Sequence, residues 1–517
     1  MTTAVVAGIA GVAGFAGLAN AVDLNPDGLG QVLIYPYYTV NKNQDTLISI
    51  VNTGDMGKAV KVRFLEGYNS REVLDFNLYL SPHDVWAGAV SAISADPASG
   101  AQMHTDDHSC IDQLNTNPQP FFDYAYTGKV SGYAKDNGPQ TIDRTREGHL
   151  EVIAMGDIDP ASVLFKDITH VQVGTPGVAY PAGATKSGIE NCTLPADAAI
   201  PGMLTVATST LFGSASIADV PEGLFYTYNA DALQGFNDRE EIYRIPGGLD
   251  PSLADAETDY TTIGGGQGPG SARAYIFMGG SLVAADYKPT VGPTSVGSID
   301  AVSAALTVSH IFNEYLLEPG VGSTSDWVVT FPTKRFYVDK VLYPGSRTTP
   351  FDEAFGAHPS QSQVPVSMTT FDREEYTKVT TCRVSPCLSQ PGAYLPYEVN
   401  VITFAPDGAT SASPVLGSNL GTNMPTAGFS GWADLNLVSA SAAHVLNEGY
   451  SPTNTTTTPD IIVRGLPATG FWAMNVINAN VTQGRMSNYS GAWRHRGSRC
   501  AGTALATSGA TGGAACS

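Results

Sequence analysis

Apolar and polar residues alternate most clearly between positions 47 and 80. Val60, Val62 and Phe64 alternate with Lys61 and Arg63, and Leu74, Phe76, Leu78 and Leu80 alternate with Asp75, Asn77 and Tyr79. A period of two puts each apolar set on one face of a strand and each polar set on the other. Turn residues separate the runs: Asn52, Thr53, Gly54 and Asp55, then Gly67, Tyr68, Asn69 and Ser70. The pattern predicts a three-stranded antiparallel meander over 47–80 whose apolar face needs a second sheet to cover it. The polar face, with Lys61, Arg63, Asp75 and Asn77, carries mixed charge and no catalytic set, so the stretch reads as scaffold.

The same period recurs along the chain. Strands are expected at 31–35 (stopped by Pro36), at 149–155 and within 203–228. Others follow at 326–331, at 335–338 beyond a Pro-Thr-Lys turn, and at 397–404, 432–438 and 471–481. One stretch differs. Over 299–317, Val302, Leu306, Ile311, Phe312, Tyr315 and Leu316 fall close to helical spacing, with Ser298 or Asp300 as cap and Glu318-Pro319-Gly320 as stop. Residues 95–145 lose periodicity and read as a long inserted loop. The glycine cluster at 264–270 reads as a linker, because it lacks the dinucleotide-binding spacing. Buried alternate faces need facing sheets, so the expected fold is mainly β: two immunoglobulin-like β-sandwich domains, tandem or fused, with long loops and at least one helix. The expected boundaries are 22–260, 271–500 including the helix at 299–317, and a flexible tail at 501–517.

Composition narrows the functional classes. The chain has 517 residues, long enough for two or three cores, and 48 acidic against 27 basic residues give a net charge of −21. A field of that sign repels nucleic acid and anionic membrane surfaces. Residues 2–18 form an uncharged apolar run that closes on Ala19-Asn20-Ala21, which suits a signal-peptidase cut before Val22. The run is too short and glycine-rich for a membrane span. The start Met-Thr-Thr lacks the usual basic residue, which points to a start codon upstream. Export would let the six cysteines, Cys110, Cys192, Cys382, Cys387, Cys500 and Cys516, form disulfides. Proximity in the chain favours Cys110 with Cys192, Cys382 with Cys387 and Cys500 with Cys516.

Candidate chemistry is sparse. Asp23, Asn25 and Asp27 before Gly28 imitate the first half of a calcium loop, but Ile34 stands where the bidentate glutamate belongs, so a polar turn is the better reading. His104 and His108 would share a face only on a helix, and a solvated loop is expected there. Asp238 with Glu240 and Glu241, and Asp372 with Glu374 and Glu375, are carboxylate groups of the kind that can hydrolyse glycosides when a fold brings two together. Near the C-terminus Arg485, Arg494, Arg496 and Arg499 interleave with Tyr489, Trp493 and His495. That group is a binding-patch candidate for an acidic partner, a surface glycan or a second copy of the chain, with internal pairing to the excess carboxylates as the alternative.

Several strand words, GQVLIYPYYTVN (30–41), KAVKVRFLEG (58–67), SREVLDFNLYLSPHDVW (70–86) and DWVVTFPTKRFYV (326–338), together with the closing RHRGSRC, resemble an uncharacterised family of exported, cell-surface proteins of proteobacteria. The resemblance implies export and a surface or secreted location, and it carries no catalytic residues. The expected function is that of an exported non-enzymatic protein of the surface or extracellular matrix, acting by binding or self-association and needing no cofactor. The alternatives are an extracellular glycan-active hydrolase using a carboxylate pair and a carbohydrate-binding module using exposed Trp and Tyr.

Overall fold

The computed structural model describes residues 21–112, 114–130, 133–170, 194–258, 270–278, 280–288, 297–380, 394–406, 412–438, 441–454, 456, 458–482 and 485–503. Strands dominate, and most gather into two pairs of sheets, a mainly β architecture that fits a β-sandwich. In the first pair, a central sheet of eight strands has Val32–Thr39, Glu147–Ile158, Gly57–Glu66 and Glu72–Leu80 as successive neighbours. A six-stranded outer sheet, built on Leu211–Asp219, Gln44–Asn52 and Val85–Ala92, faces it. In the second pair, Ser323–Thr330 lies between Val399–Pro406 and Thr469–Thr482 in one sheet, and Ser430–Asn436 lies between Ser367–Asp372 and His310–Leu316 in the other.

The expected meander is only two-thirds correct. Gly57–Glu66 and Glu72–Leu80 do form a hairpin, with Val62 opposite Phe76 and Arg63 opposite Asp75. Gln44–Asn52, however, pairs with Leu211–Asp219 and Val85–Ala92 in the outer sheet. Asn52 carries the chain across: its side-chain amide donates to the Met56 and Ser81 carbonyls at 2.8 and 3.0 Å, and its oxygen accepts from Gly54 N. Ile48 and Ile50 then meet Val62, Phe64 and Phe76 from the opposite side of one core. Alternation looks the same whether a strand is a neighbour or the cover, so the period could not separate the two.

Four further expectations are corrected. The strand at 31–35 runs on to Thr39, because Pro36 sits at a register shift opposite Gly148 and Leu150, where its missing N–H costs no ladder bond. The helix expected over 299–317 ends at Leu306; Thr307–Val308 and His310–Leu316 are strands. Ile311 and Tyr315 share a face in a strand as they would in a helix, and the β-branched pair Thr307 and Val308 favours the strand. Arg335–Val338, expected as a strand, is a single helical turn opened by the Phe331 carbonyl accepting from Lys334 N. Residues 95–145 are more than a loop, since Ala101–His104 and Gln119–Pro120 extend the outer sheet and Cys110–Asp112 edges the central one. The glycine cluster at 264–269 lies outside the described residues.

The two pairs share a core. Val328, Val401, Phe471 and Ala473 pack with Tyr37, Tyr226 and Tyr228 of the first pair. Tyr228 stacks on Phe471 with centroids 4.5 Å apart, and Thr330 donates to the Pro36 carbonyl at 2.6 Å. Two strand edges meet where the Ser490 hydroxyl accepts from Phe225 N at 2.7 Å and donates to Phe225 O at 3.0 Å. Among the described residues, no helix is long and apolar enough to cross a membrane. Because the stacked rings belong to different sheet pairs, Phe471→Ala is expected to lower stability by about 3–5 kcal/mol. Calorimetry should show both pairs melting later in the parent chain and shifting together in the variant; a variant that lowers only one of two separate transitions would contradict a shared core.

Candidate functional site

Both faces of the central sheet are buried. Leu33, Val62, Phe64, Phe76 and Val152 face the outer sheet, whereas Lys61, Arg63, His149 and Glu151 point the other way and are at most 1% exposed. The segment from Ile242 to Ala256 and the turn Arg335–Val338 cover this second face. Lys61 pairs with Asp75 at 3.0 Å and donates to the Ile245 carbonyl; Arg63 pairs with Glu72 at 2.6 Å and donates to the Gly248 and Pro251 carbonyls. Arg335 reaches down from its turn to Glu151 at 2.9 Å. The polar set of the hairpin is therefore the inside of a second interface.

A neighbouring network fixes the hairpin turn. The Glu66 carboxylate accepts from the backbone N–H groups of Tyr68, Asn69 and Arg71, and from Arg144 at 2.7 and 2.8 Å. Arg144 also holds Asp136 at 2.6 and 2.9 Å and lies over the Tyr126 ring, 4.3 Å from its centroid. Arg71 holds Asp339 at 2.7 Å and donates to the Ala125 and Ala134 carbonyls. Burial would raise the Asp136 carboxyl, but its bonds to Arg144 bring it below its ordinary value.

Where this ionic layer meets its cover the packing leaves a cavity of about 390 Å³, within the usual range of ligand pockets. Its charged wall is Arg63, Arg71, Glu72 and Arg335, with Ser70 among them. Leu65, Leu249 and Leu342 and the rings of Tyr133 and Tyr343 complete it. Burial pushes the Glu72 carboxyl up to about 7 against the pull of Arg63. Burial also raises Glu151, but Arg335 and His149 outweigh it and bring that carboxyl down to about 2. His149 itself is pushed below its usual range by burial. Beyond Ser70, burial pushes the Glu398 carboxyl up to about 8 and the Lys334 ammonium down to about 7, each opposed by the other's charge.

The residues singled out from the sequence lie elsewhere. Asn25 closes its own turn, accepting from Asp27 N and donating to Leu29 O, while Asp23 accepts from Gln234. His104 lies 3.3 Å from Asp106, and Asp107 accepts from Ser109. Among the described residues no group of three His, Cys, Asp or Glu could hold a metal ion. Asp372 accepts from Glu374 N and Tyr376 N of its own turn, and Glu241 accepts from Tyr243 N. Arg239 pairs with Glu257 at 3.2 Å, and Asp238 N donates to the Glu257 carbonyl. Cys110 is buried and disulfide-bonded; Cys192, Cys382, Cys387 and Cys516 lie outside the described residues, as does the side chain of Cys500.

The C-terminal candidates are divided. Arg494 pairs with Asp231, Arg496 lies 3.8 Å from Glu314, and Arg499 donates to the Thr307 and Ala305 carbonyls at the end of the helix Gly297–Leu306. His495 accepts from Asn313 and donates to the Val328 carbonyl, and burial brings it down to about 4. Trp493 stacks on Trp472 at 4.6 Å, Tyr489 is exposed, and the side chain of Arg485 lies outside the described residues. The residues of the cavity wall were overlooked because each alternates like a solvated strand face. One sign was available: a hairpin with cations on one strand and anions at matching positions of the other can neutralise itself when covered.

No family model, no curated protein and no solved structure matches the chain.

Two consequences can be measured. Arg144→Met strands Glu66 and Asp136 without their cation and is expected to cost about 3–5 kcal/mol in urea unfolding. Glu398 titrates near 4.5 ordinarily and near 8 here, so over that window the folded chain keeps a proton that the unfolded chain releases. Its contribution therefore falls as pH rises, with Lys334, Arg335, Glu66 and the Ser70 hydroxyl as its charged and polar surroundings. The stability of Glu398→Gln relative to the parent should rise between about pH 5 and 8; a pH-independent difference would disprove the assignment.

Proposed function

We propose that the chain is an exported, non-enzymatic protein of the cell surface or extracellular matrix that acts by binding, in line with the exported proteobacterial family its strand words resemble. Its paired sheets are read as two immunoglobulin-like sandwiches fused through a shared core. The observation that carries the binding reading is the cavity over the ionic face. It has ligand dimensions, and Arg63, Arg71 and Glu72 in its wall are held in ion pairs. Turnover needs a group free to take or give a proton, or a nucleophile with a base beside it, and Glu72, which burial raises to about 7, is tied to Arg63. Ser70 has beside it a carboxyl that stays protonated near neutrality and is a poor base.

The other readings have less support. Asp238 and Asp372 sit in turns that they or their neighbours cap, rather than facing each other across a cleft. The most aromatic outer face, on the sheet containing Ser430–Asn436, stacks Phe371 on Trp432 with centroids 4.2 Å apart and planes 8° apart. Stacking spends one face of each ring on the other. Self-association by strand addition would need an open edge, and two of the sheet edges, Leu224–Asn229 and Arg485–Arg494, meet each other.

Fractionation with surface proteolysis of intact cells tests the reading. The processed chain is expected at the surface or in the medium, and a glycan panel should show no turnover that Asp238→Asn or Asp372→Asn removes. An unprocessed chain confined to the cytoplasm, or turnover abolished by either substitution, would overturn it.

A further inference from the structure

We infer that the cavity over the central sheet binds a small amphipathic molecule carrying one carboxylate, which docks on Arg335 and Ser70 with its apolar body against the leucine and tyrosine walls; this rests on reading the cavity as a binding site. The three arginines of the wall are not equivalent. Arg63 commits Nε to Glu72, Nη1 to Pro251 O and Nη2 to Gly248 O. Arg71 donates Nη1 to the Ala125 and Ala134 carbonyls and Nη2 to Asp339, and its Nε lies in an ion pair with the same carboxylate. Arg335 is 4% exposed, and among the described residues its guanidinium has one hydrogen-bond partner, Glu151 at Nη2. Nε and Nη1 make no hydrogen bond among the described residues, on a group that offers five N–H donors.

Ser70 supplies the second observation. Its hydroxyl is buried, lines the same cavity and makes no hydrogen bond of ordinary geometry, with the protonated Glu398 carboxyl as its polar neighbour. Its backbone φ of 51° lies in the left-handed region, uncommon for serine, and the Glu66 carboxylate that gathers the turn's N–H groups holds it there. A guanidinium edge and a hydroxyl are matched by two carboxylate oxygens, the first through a charge-assisted fork. Glu72 in the wall and Glu151 behind Arg335 disfavour a second negative charge. The rest of the wall, with Leu65, Leu249, Leu342, Tyr133 and Tyr343, suits an aromatic or branched body.

Titration calorimetry on the full chain tests this with 3-phenylpropionate, hexanoate, 3-phenylpropanamide and phenyl phosphate as probes. At least one acid is expected to bind at one site, with the amide and the phosphate about tenfold weaker or more, the scale of one charge-assisted hydrogen bond. Arg335→Lys keeps a cation for Glu151 but loses the fork, and should weaken the acid by a similar factor. Ala134→Trp blocks the mouth while leaving the Ala134 carbonyl bonded to Arg71, so it should abolish binding with an unchanged melting temperature. Equal binding of acid and amide, both lost in Ala134→Trp, would overturn the carboxylate inference and leave the cavity as a binding site. Tighter binding of phenyl phosphate would overturn the single-charge assignment. Binding that survives Ala134→Trp, or no binding of any probe, would overturn both the inference and the reading of the cavity on which it rests.

Discussion

A charge taken out of water is tolerated only where a counter-charge and hydrogen bonds meet it, and the central sheet buries a cluster of charges on its second face among apolar neighbours. Lys61 and Arg63 on one strand are answered by Asp75 and Glu72 on the next, and Glu151 on the third is answered by Arg335 from the covering turn. Backbone carbonyls at Ile245, Gly248 and Pro251 take the remaining donors, so the cover is tied to the sheet by hydrogen bonds. The second interface joins this geometry to apolar burial, since Ile34, Ala59, Tyr79 and Ile153 of the sheet pack in one cluster with Ile242, Tyr243 and Leu253 of the cover. Loss of one member leaves its partner buried and unpaired, which costs far more than loss of a surface ion pair.

That constraint links the two halves of the molecule. Arg335 lies one short turn beyond the strand Ser323–Thr330, and Asp339 after it holds Arg71 of the first sheet pair. The same region carries the apolar seam of Val328, Phe471 and Tyr228. Charge and apolar contact thus bind the same two bodies at adjacent places. The cavity lies where the rigid ionic layer and its cover fail to close completely.

Binding and scaffolding come from one set of residues. Arg63 and Arg71 are held by ion pairs and backbone carbonyls and give the wall its rigidity, whereas Arg335 has Glu151 as its one hydrogen-bond partner among the described residues. A pre-organised wall spares a ligand the entropic cost of ordering side chains on association. The exposed aromatics fit a structural role better: Phe371 and Trp432 spend their faces on each other, and Trp493 covers Trp472.

The amino-acid sequence alone determined that this chain is mainly β, because a period of two survives in Gly57–Glu66, Glu72–Leu80 and most of the later strands whatever surrounds them. It also placed the hairpin turn, since Gly67, Tyr68, Asn69 and Ser70 are turn residues between two alternating runs. It did not say that Gln44–Asn52 belongs to the facing sheet, that the helix stops at Leu306, or that the charged face is an interior. Period two is shared by neighbours and covers, and a spacing of four is shared by strand and helix. Whether Lys61 and Arg63 meet water or Ile245 and Pro251 is settled by residues nearly two hundred positions away. The cavity was illegible for the same reason: Ser70, Arg71 and Arg335 become one wall only when the tertiary structure brings two distant segments over one sheet.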